Sequence, residues 1–283
     1  MIGVTQLLSK ELTPVIFSPT VSYLVVGGGA SGGGGSPSND RAGGGGGAGG
    51  VLSSTAVFLG GVPYAIQVAP RSNGGLYTNA SVQGPDGGDS IFSNITAYGG
   101  GGGGSAQASG SLVSSNHGRP GASGGGAGGI VGAQGGAGTQ GYAGAGMSAS
   151  CCASSGGGGA GSGGTSSSGS NSNGNGGNGV VNNITGSNIT YGIGGAGESG
   201  GTYDLATQGL NGRGNGGEGA GGDGNFSQSG KYNYQGAPGG SGIVILKYIG
   251  PSPTISAGLT YTISTVAENN IISFTAGTGT ITF

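Results

Sequence analysis

The chain has 283 residues, 80 of them glycine, with 7 basic and 9 acidic side chains and a formal net charge of −2. No basic stripe could neutralise phosphates, which argues against nucleic-acid binding, and no apolar stretch approaches the roughly 20 residues of a membrane span. Collagen is disfavoured by only 10 prolines and by a strict Gly-X-Y period confined to one run.

Glycine runs such as Gly99–Gly104 would ordinarily read as linker. Hydrophobic residues nevertheless make up 33% of the chain and gather in strand-like blocks, and charge is too sparse to keep a coil expanded, so an ordered fold is expected. Residues 1–20 contain few glycines and read as an extended or short helical lead. Leu7-Leu8 is followed by Val15-Ile16-Phe17 between Pro14 and Pro19. No basic n-region precedes an apolar h-region, so the start is not read as a signal peptide; synthesis in a cytoplasm and delivery by another route are expected.

Four stretches then read as strands, each opening onto or closing a glycine tract. They are Val21–Val26, Val62–Val68, Ser90–Tyr98 and Gly242–Tyr248, the last nearly continuous in apolar residues and expected to be buried. From Gly126 to Gly144 every third residue is glycine. That spacing matches the three residues per turn of a polyproline II helix and predicts one edge without side chains, open to close approach of a second backbone. Cys151 and Cys152 are adjacent, which disfavours an ordinary bridge between them. Asn188-Ile189-Thr190-Tyr191-Gly192 echoes Asn94–Gly99, suggesting a repeated unit of short strand and glycine tract. After Pro251 and Pro253 the tracts stop. Leu259–Ser264 and Thr280–Phe283 alternate, Asn269-Asn270 reads as a turn, and 250–283 is expected to form a small β-module. No segment of useful length has helical periodicity. The expected fold is thus mostly β and irregular: a small β-scaffold holding packed polyglycine II helices over 21–249, with almost no α-helix.

Chemistry is sparse. His117 is the one histidine, no Cys/His spacing suits a metal, and nothing places a nucleophile beside it. It reads as a loop residue in a polar turn. Asp86-Gly87-Gly88-Asp89 and Gly221-Gly222-Asp223-Gly224 lack the spacing of calcium-binding repeats and read as solvated turns. No catalytic residue, cofactor or metal is expected. What remains is surface: Asn73–Asn79, Tyr203–Gln208 and Asn225–Gln235 combine tyrosine with amides and hydroxyls, a chemistry suited to recognition loops and to sugars. The contact candidates are Tyr232, Asn233, Tyr234 and Phe226, then Tyr203 and Tyr77.

Tyr23–Gly29, Ile95–Gly104 and Gly239–Tyr248 together resemble the glycine-rich domain of phage tail proteins. There is a looser likeness, in principle rather than motif, to phage tail-fibre tip adhesins built from stacked polyglycine II helices. The resemblance implies a virion structural protein of a tail fibre or its tip. Its partners would be a bacterial surface glycan or outer-surface protein and other tail proteins. Residues 1–20 would be the candidate anchor, and a homo-oligomer such as a trimer is plausible. The competing expectation is a self-assembling filament, sheath or capsid-decoration protein without a receptor, joined through 1–20 and 250–283.

Overall fold

A computed structural model describes residues 17–36, 41–74, 82–106, 111–148, 153–169, 172–198, 221 and 236–283. Among them are eleven strands: β1 (Thr20–Val26), β2 (Val51–Val57), β3 (Pro63–Val68), β4 (Ser90–Phe92), β5 (Ile95–Ala97), β6 (Val180–Asn182), β7 (Ile189–Tyr191), β8 (Ile243–Tyr248), β9 (Thr254–Ile255), β10 (Leu259–Val266) and β11 (Asn269–Thr282). The one helical turn among the described residues is a short 3-10 stretch, Ser114–Asn116. The protein is mostly β with almost no helix.

Nine strands form one antiparallel, nearly closed, barrel-like sheet in the order β2-β1-β8-β11-β3-β4-β5, with β9 and β10 also on β11. β11 organises it. Along Asn270–Phe274 it lies between β8 and β10, and along Gly277–Thr282 it pairs with β3. One 14-residue strand therefore belongs to both walls. Gly277, with φ +98, sits where the partner changes; an added Cβ would overlap the Gly258 carbonyl. Residues beyond Pro251 thus contribute strands to this sheet.

Alternation along the strands divides apolar side chains between two clusters. Val21 and Val25 join Ile66, Phe92, Leu246, Ile272, Phe274 and Ile281 inside the barrel, where Phe58 and Phe92 lie with ring centroids 4.8 Å apart. Leu24 and Val26 face outward with Ile245 and Ile271, and Ile184 just after β6 and Tyr191 at the end of β7 cover them. β8 is buried at four of its six positions because it is central and packed on both faces.

Beyond the sheet, the glycine tracts form a layer whose hydrogen bonds repeat every third residue. The N–H groups of Gly27, Ala30 and Gly33 donate to Gly50, Gly47 and Gly44; those of Gly28 and Ser31 donate to Gly88 and Pro85; those of Gly29 and Gly32 donate to Gly240 and Ala237. Residues 123–129 repeat the scheme. Ser123, Gly126 and Gly129 bond Ala48, Gly45 and Ala42; Gly124 and Ala127 bond Tyr142 and Ala145; Gly125 and Gly128 bond Arg119 and Asn116. These two extended segments thereby satisfy their buried donors on three neighbours in rotation. Glycine is required where segments touch, since an added Cβ at Gly44, Gly47 or Gly103 would overlap a neighbouring carbonyl.

Several expectations are corrected. Ser90–Tyr98 is a hairpin rather than one strand: β4 and β5 pair across a turn at Ser93, whose φ is +57. The turn between β10 and β11 falls at Ala267 and Glu268, while Asn269 and Asn270 already pair with Val266 and Thr265. The unbroken period from Gly126 to Gly144 does not make one bare edge. Turns near Ile130–Ala133 and Gly138–Gly141 fold it back on itself, and Gly144 then donates to Gly136. In the first turn Ile130 is buried against Ala127, Ala133, Met147 and Ala153, while Val131 points into solvent.

Candidate functional site

All of the contact candidates, Tyr77, Tyr203, Phe226, Tyr232, Asn233 and Tyr234, lie outside the described residues, as do Cys151, Cys152 and residues 1–16 of the candidate anchor. The described residues flanking several of these stretches do have defined places. Moving along 27–34 away from β1, the partners on the neighbouring segment change from Gly50 to Gly44, so the far end of the layer is opposite the sheet. At that end Ser36 donates to Arg41, Ala106 to Gly34, and Gly129 to Ala42. Ser154 donates from its backbone to Glu198 and from its hydroxyl to Gly43, the latter at 2.6 Å. Gly236 abuts Gly32, and a Cβ on Gly74 would lie 2.5 Å from the Gly236 carbonyl.

Gly74, which precedes Tyr77, therefore meets Gly236, which follows Tyr234. Ser72 ties the pair down: its hydroxyl accepts the Gly239 N–H at 2.9 Å and donates to Gly29 at 3.0 Å. The fold brings these two flanks together at a distance of more than 150 residues in sequence, as the Ser72–Gly239 separation of 167 shows. Gly221, by contrast, donates to Ile193 and packs on Gly46, nearer the middle of the layer.

A polar groove lies at the far end of β1 from the glycine layer. Ser22, Ser53, Thr55, Asn182, Asn183 and Lys247 line a space of about 260 Å³. It adjoins a second of about 420 Å³, which shares Ser22 and Lys247 and includes Thr20 and Asn269. Lys247 is the sole charge on β1, β2 and β8, stands beside Ser22 in register, and is half-buried. Among the described residues nothing pairs with its ammonium. Ser22 and Thr55 hydrogen bond to each other across the strands at 3.0 Å. Such a groove offers hydroxyls, amides and one cation, and no nucleophile–base pair. The sequence reading missed it because 51–57 was not read as a strand; the signal was one lysine inside an otherwise apolar β8.

The remaining polar candidates have structural work. His117 Nδ1 accepts the Gln134 N–H at 2.8 Å and so anchors a turn. Asp89 Oδ1 accepts the Gly99 N–H at 2.8 Å, and Asp86 Oδ1 accepts that of Gly102 at 2.9 Å. Asp86 also pairs with Arg119 at 2.6 Å. These carboxylates finish the hydrogen bonding of a glycine segment rather than converge on an ion. Among the described residues no cluster of three or more His, Cys, Asp or Glu could hold a metal, and no helix is long and apolar enough to cross a membrane.

No curated protein matches this chain. Residues 14–249 match the glycine-rich domain family. That span begins before β1, runs through every glycine segment and ends just after β8, the two strands that pair at the base of the layer. The chain belongs to the glycine-rich domain family.

Proposed function

We propose that this chain is a virion structural protein of a tailed phage, placed at or near the tip of a tail fibre, and that it recognises a bacterial surface glycan or outer-surface protein. The observation that supports this reading is the meeting of Gly74 and Gly236, which gathers the flanks of two tyrosine- and asparagine-bearing stretches at the end of the layer opposite the sheet. In this reading the segments are polyglycine II helices, whose outward N–H and C=O groups suit the threefold exchange of hydrogen bonds. A layer fixed by backbone bonds fixes the flanks of such stretches, and fixed flanks lower the ordering cost of binding. Tyrosine supplies rigid contact area and asparagine and serine supply hydrogen bonds. Several copies per particle multiply weak contacts.

The test is saturable binding of labelled protein to a panel of bacterial strains, competed by their surface polysaccharide. Replacing Tyr232 and Tyr234 together with alanine is expected to weaken binding at least about tenfold, the loss of roughly 1.4 kcal/mol or more. Unchanged binding by the folded double variant would remove 225–235 as the contact. No binding to a panel that contains the host would remove the receptor reading itself.

A further inference from the structure

We propose that β10 is an assembly edge, on which a second copy of this chain pairs its own β10 in antiparallel fashion about a twofold axis through Thr262. β10 lies on the outer side of β11, and among the described residues its other edge has no strand partner. Exposed edges in natural sheets are usually guarded by lysine, proline or a bulge. β10 reads Leu-Thr-Tyr-Thr-Ile-Ser-Thr-Val, without charge or proline. Its register irregularity lies between Thr260 and Tyr261, so Tyr261–Val266 pairs regularly and leaves a straight free edge.

Its side chains continue the barrel's interior face past the barrel. Tyr261 stands opposite Phe274 with ring centroids 5.8 Å apart, and Ile263 stands opposite Ile272. Phe274 and Ile272 are fully buried, whereas Tyr261 and Ile263 are 41% and 52% exposed. The core face is thus extended onto a strand that no other layer among the described residues covers. β2, at the other side of this wall, differs: its interior-facing positions opposite Val21, Tyr23 and Val25 are Ala56, Ser54 and Leu52, and Leu52 is already partly buried against the barrel core. Of these two edges, β10 is the one that exposes large apolar side chains, Tyr261 and Ile263, on the core face.

The sequence of β10 fits a copy of itself. Antiparallel pairing centred on Thr262 sets Tyr261 opposite Ile263 of the second copy and Ile263 opposite its Tyr261. These are aromatic and β-branched pairs, the cross-strand combination that stabilises sheets. Thr260 then faces Ser264, and no charge meets a like charge. The contact is isologous and closes at two copies. The proposal does not depend on the receptor reading.

Sedimentation of the full chain up to roughly 200 µM should show concentration-dependent dimers, and Ile263→Lys should remain monomeric with unchanged circular dichroism. In a background with Cys151→Ser and Cys152→Ser, Thr262→Cys should give a disulfide-linked dimer on mild oxidation, and Ser54→Cys on β2 should not. A wild type that stays monomeric overturns the proposal, including one whose β10 amides exchange slowly because the same chain covers the edge. So do a dimer that survives Ile263→Lys, equal cross-linking through Ser54→Cys, and assembly into trimers or open filaments.

Discussion

Asp86 and Asp89 are spaced by the same three residues that separate Gly99 and Gly102, whose N–H groups they accept. Side-chain oxygens here stand where a neighbouring segment would otherwise supply carbonyls. Asp89→Ala leaves the buried Gly99 donor without a partner and is expected to cost about 1–3 kcal/mol in urea denaturation, while Asp89→Asn keeps the acceptor and most of the stability. Glycine positions divide sharply. A Cβ on Gly102 would overlap the Gly84 carbonyl, between two backbones that have no side chain to move. Gly61, with φ +73, has nothing within 4 Å of its added Cβ. Gly102→Ala should cost about 3 kcal/mol or more, and Gly61→Ala only the roughly 1–2 kcal/mol of left-handed strain. Tyr248 adds a pH effect. It is 2% exposed, its hydroxyl donates to the Pro251 carbonyl at 3.2 Å, and desolvation raises its pKa above the ordinary 10.0. The unfolded chain then ionises at this tyrosine first, so the contribution of Tyr248 to stability is constant well below pH 10.0 and falls as pH climbs from there through the raised folded value. Urea midpoints between neutral and strongly alkaline pH should show this fall, and Tyr248→Phe should reduce it.

At the scale of elements, the strands and the glycine segments are stabilised by different means. The strands bury side chains: Phe274 on β11 is fully buried in the barrel core, and Phe274→Ala should cost about 3–5 kcal/mol by chemical denaturation. The segments bury backbone, and their order rests on hydrogen bonds to neighbouring segments, three of them for 27–33 and for 123–129. Amides of 124–128 should therefore exchange at least about 100-fold more slowly than that of Val131, which sits exposed in the turn that follows. β1 and β8 were legible as apolar runs next to glycine, and β3 from the alternation of Tyr64, Ile66 and Val68 with smaller or polar residues. β2 was not, since Ser53, Ser54 and Thr55 interrupt its apolar pattern. β11 was legible only at its C-terminal end, Thr280–Thr282: its start at Asn269-Asn270 reads as a turn, and its middle, Thr275–Gly279, contains small residues that a bend requires and a strand pattern hides.

Over the whole molecule, the sheet gathers the starts of the glycine segments, and their hydrogen-bond rotation carries that order to the opposite end. β1 and β8 pair at the base through Val21–Val26 and Ile243–Tyr248, so the first and last segments leave the sheet side by side. Gly29 and Gly32 accordingly bond Gly240 and Ala237. The candidate contact residues could be nominated from their chemistry, whereas the placement of their flanks could not. The Lys247 groove was equally hidden, because it draws on β1, β2, β8 and the end of β6 with the residues after it, which are remote in sequence. By itself the sequence determined that the chain is mostly β, with glycine wherever backbones must touch and few groups able to do chemistry, because alternation and the absence of Cβ atoms are local properties. Only the tertiary structure decided which segments are neighbours, where the Gly126–Gly144 run turns back, and that β11 joins both walls. The physical reason is that backbone donors and acceptors are the same at every residue, so the partner of each is chosen by the assembled sheet and not by the residue that carries it.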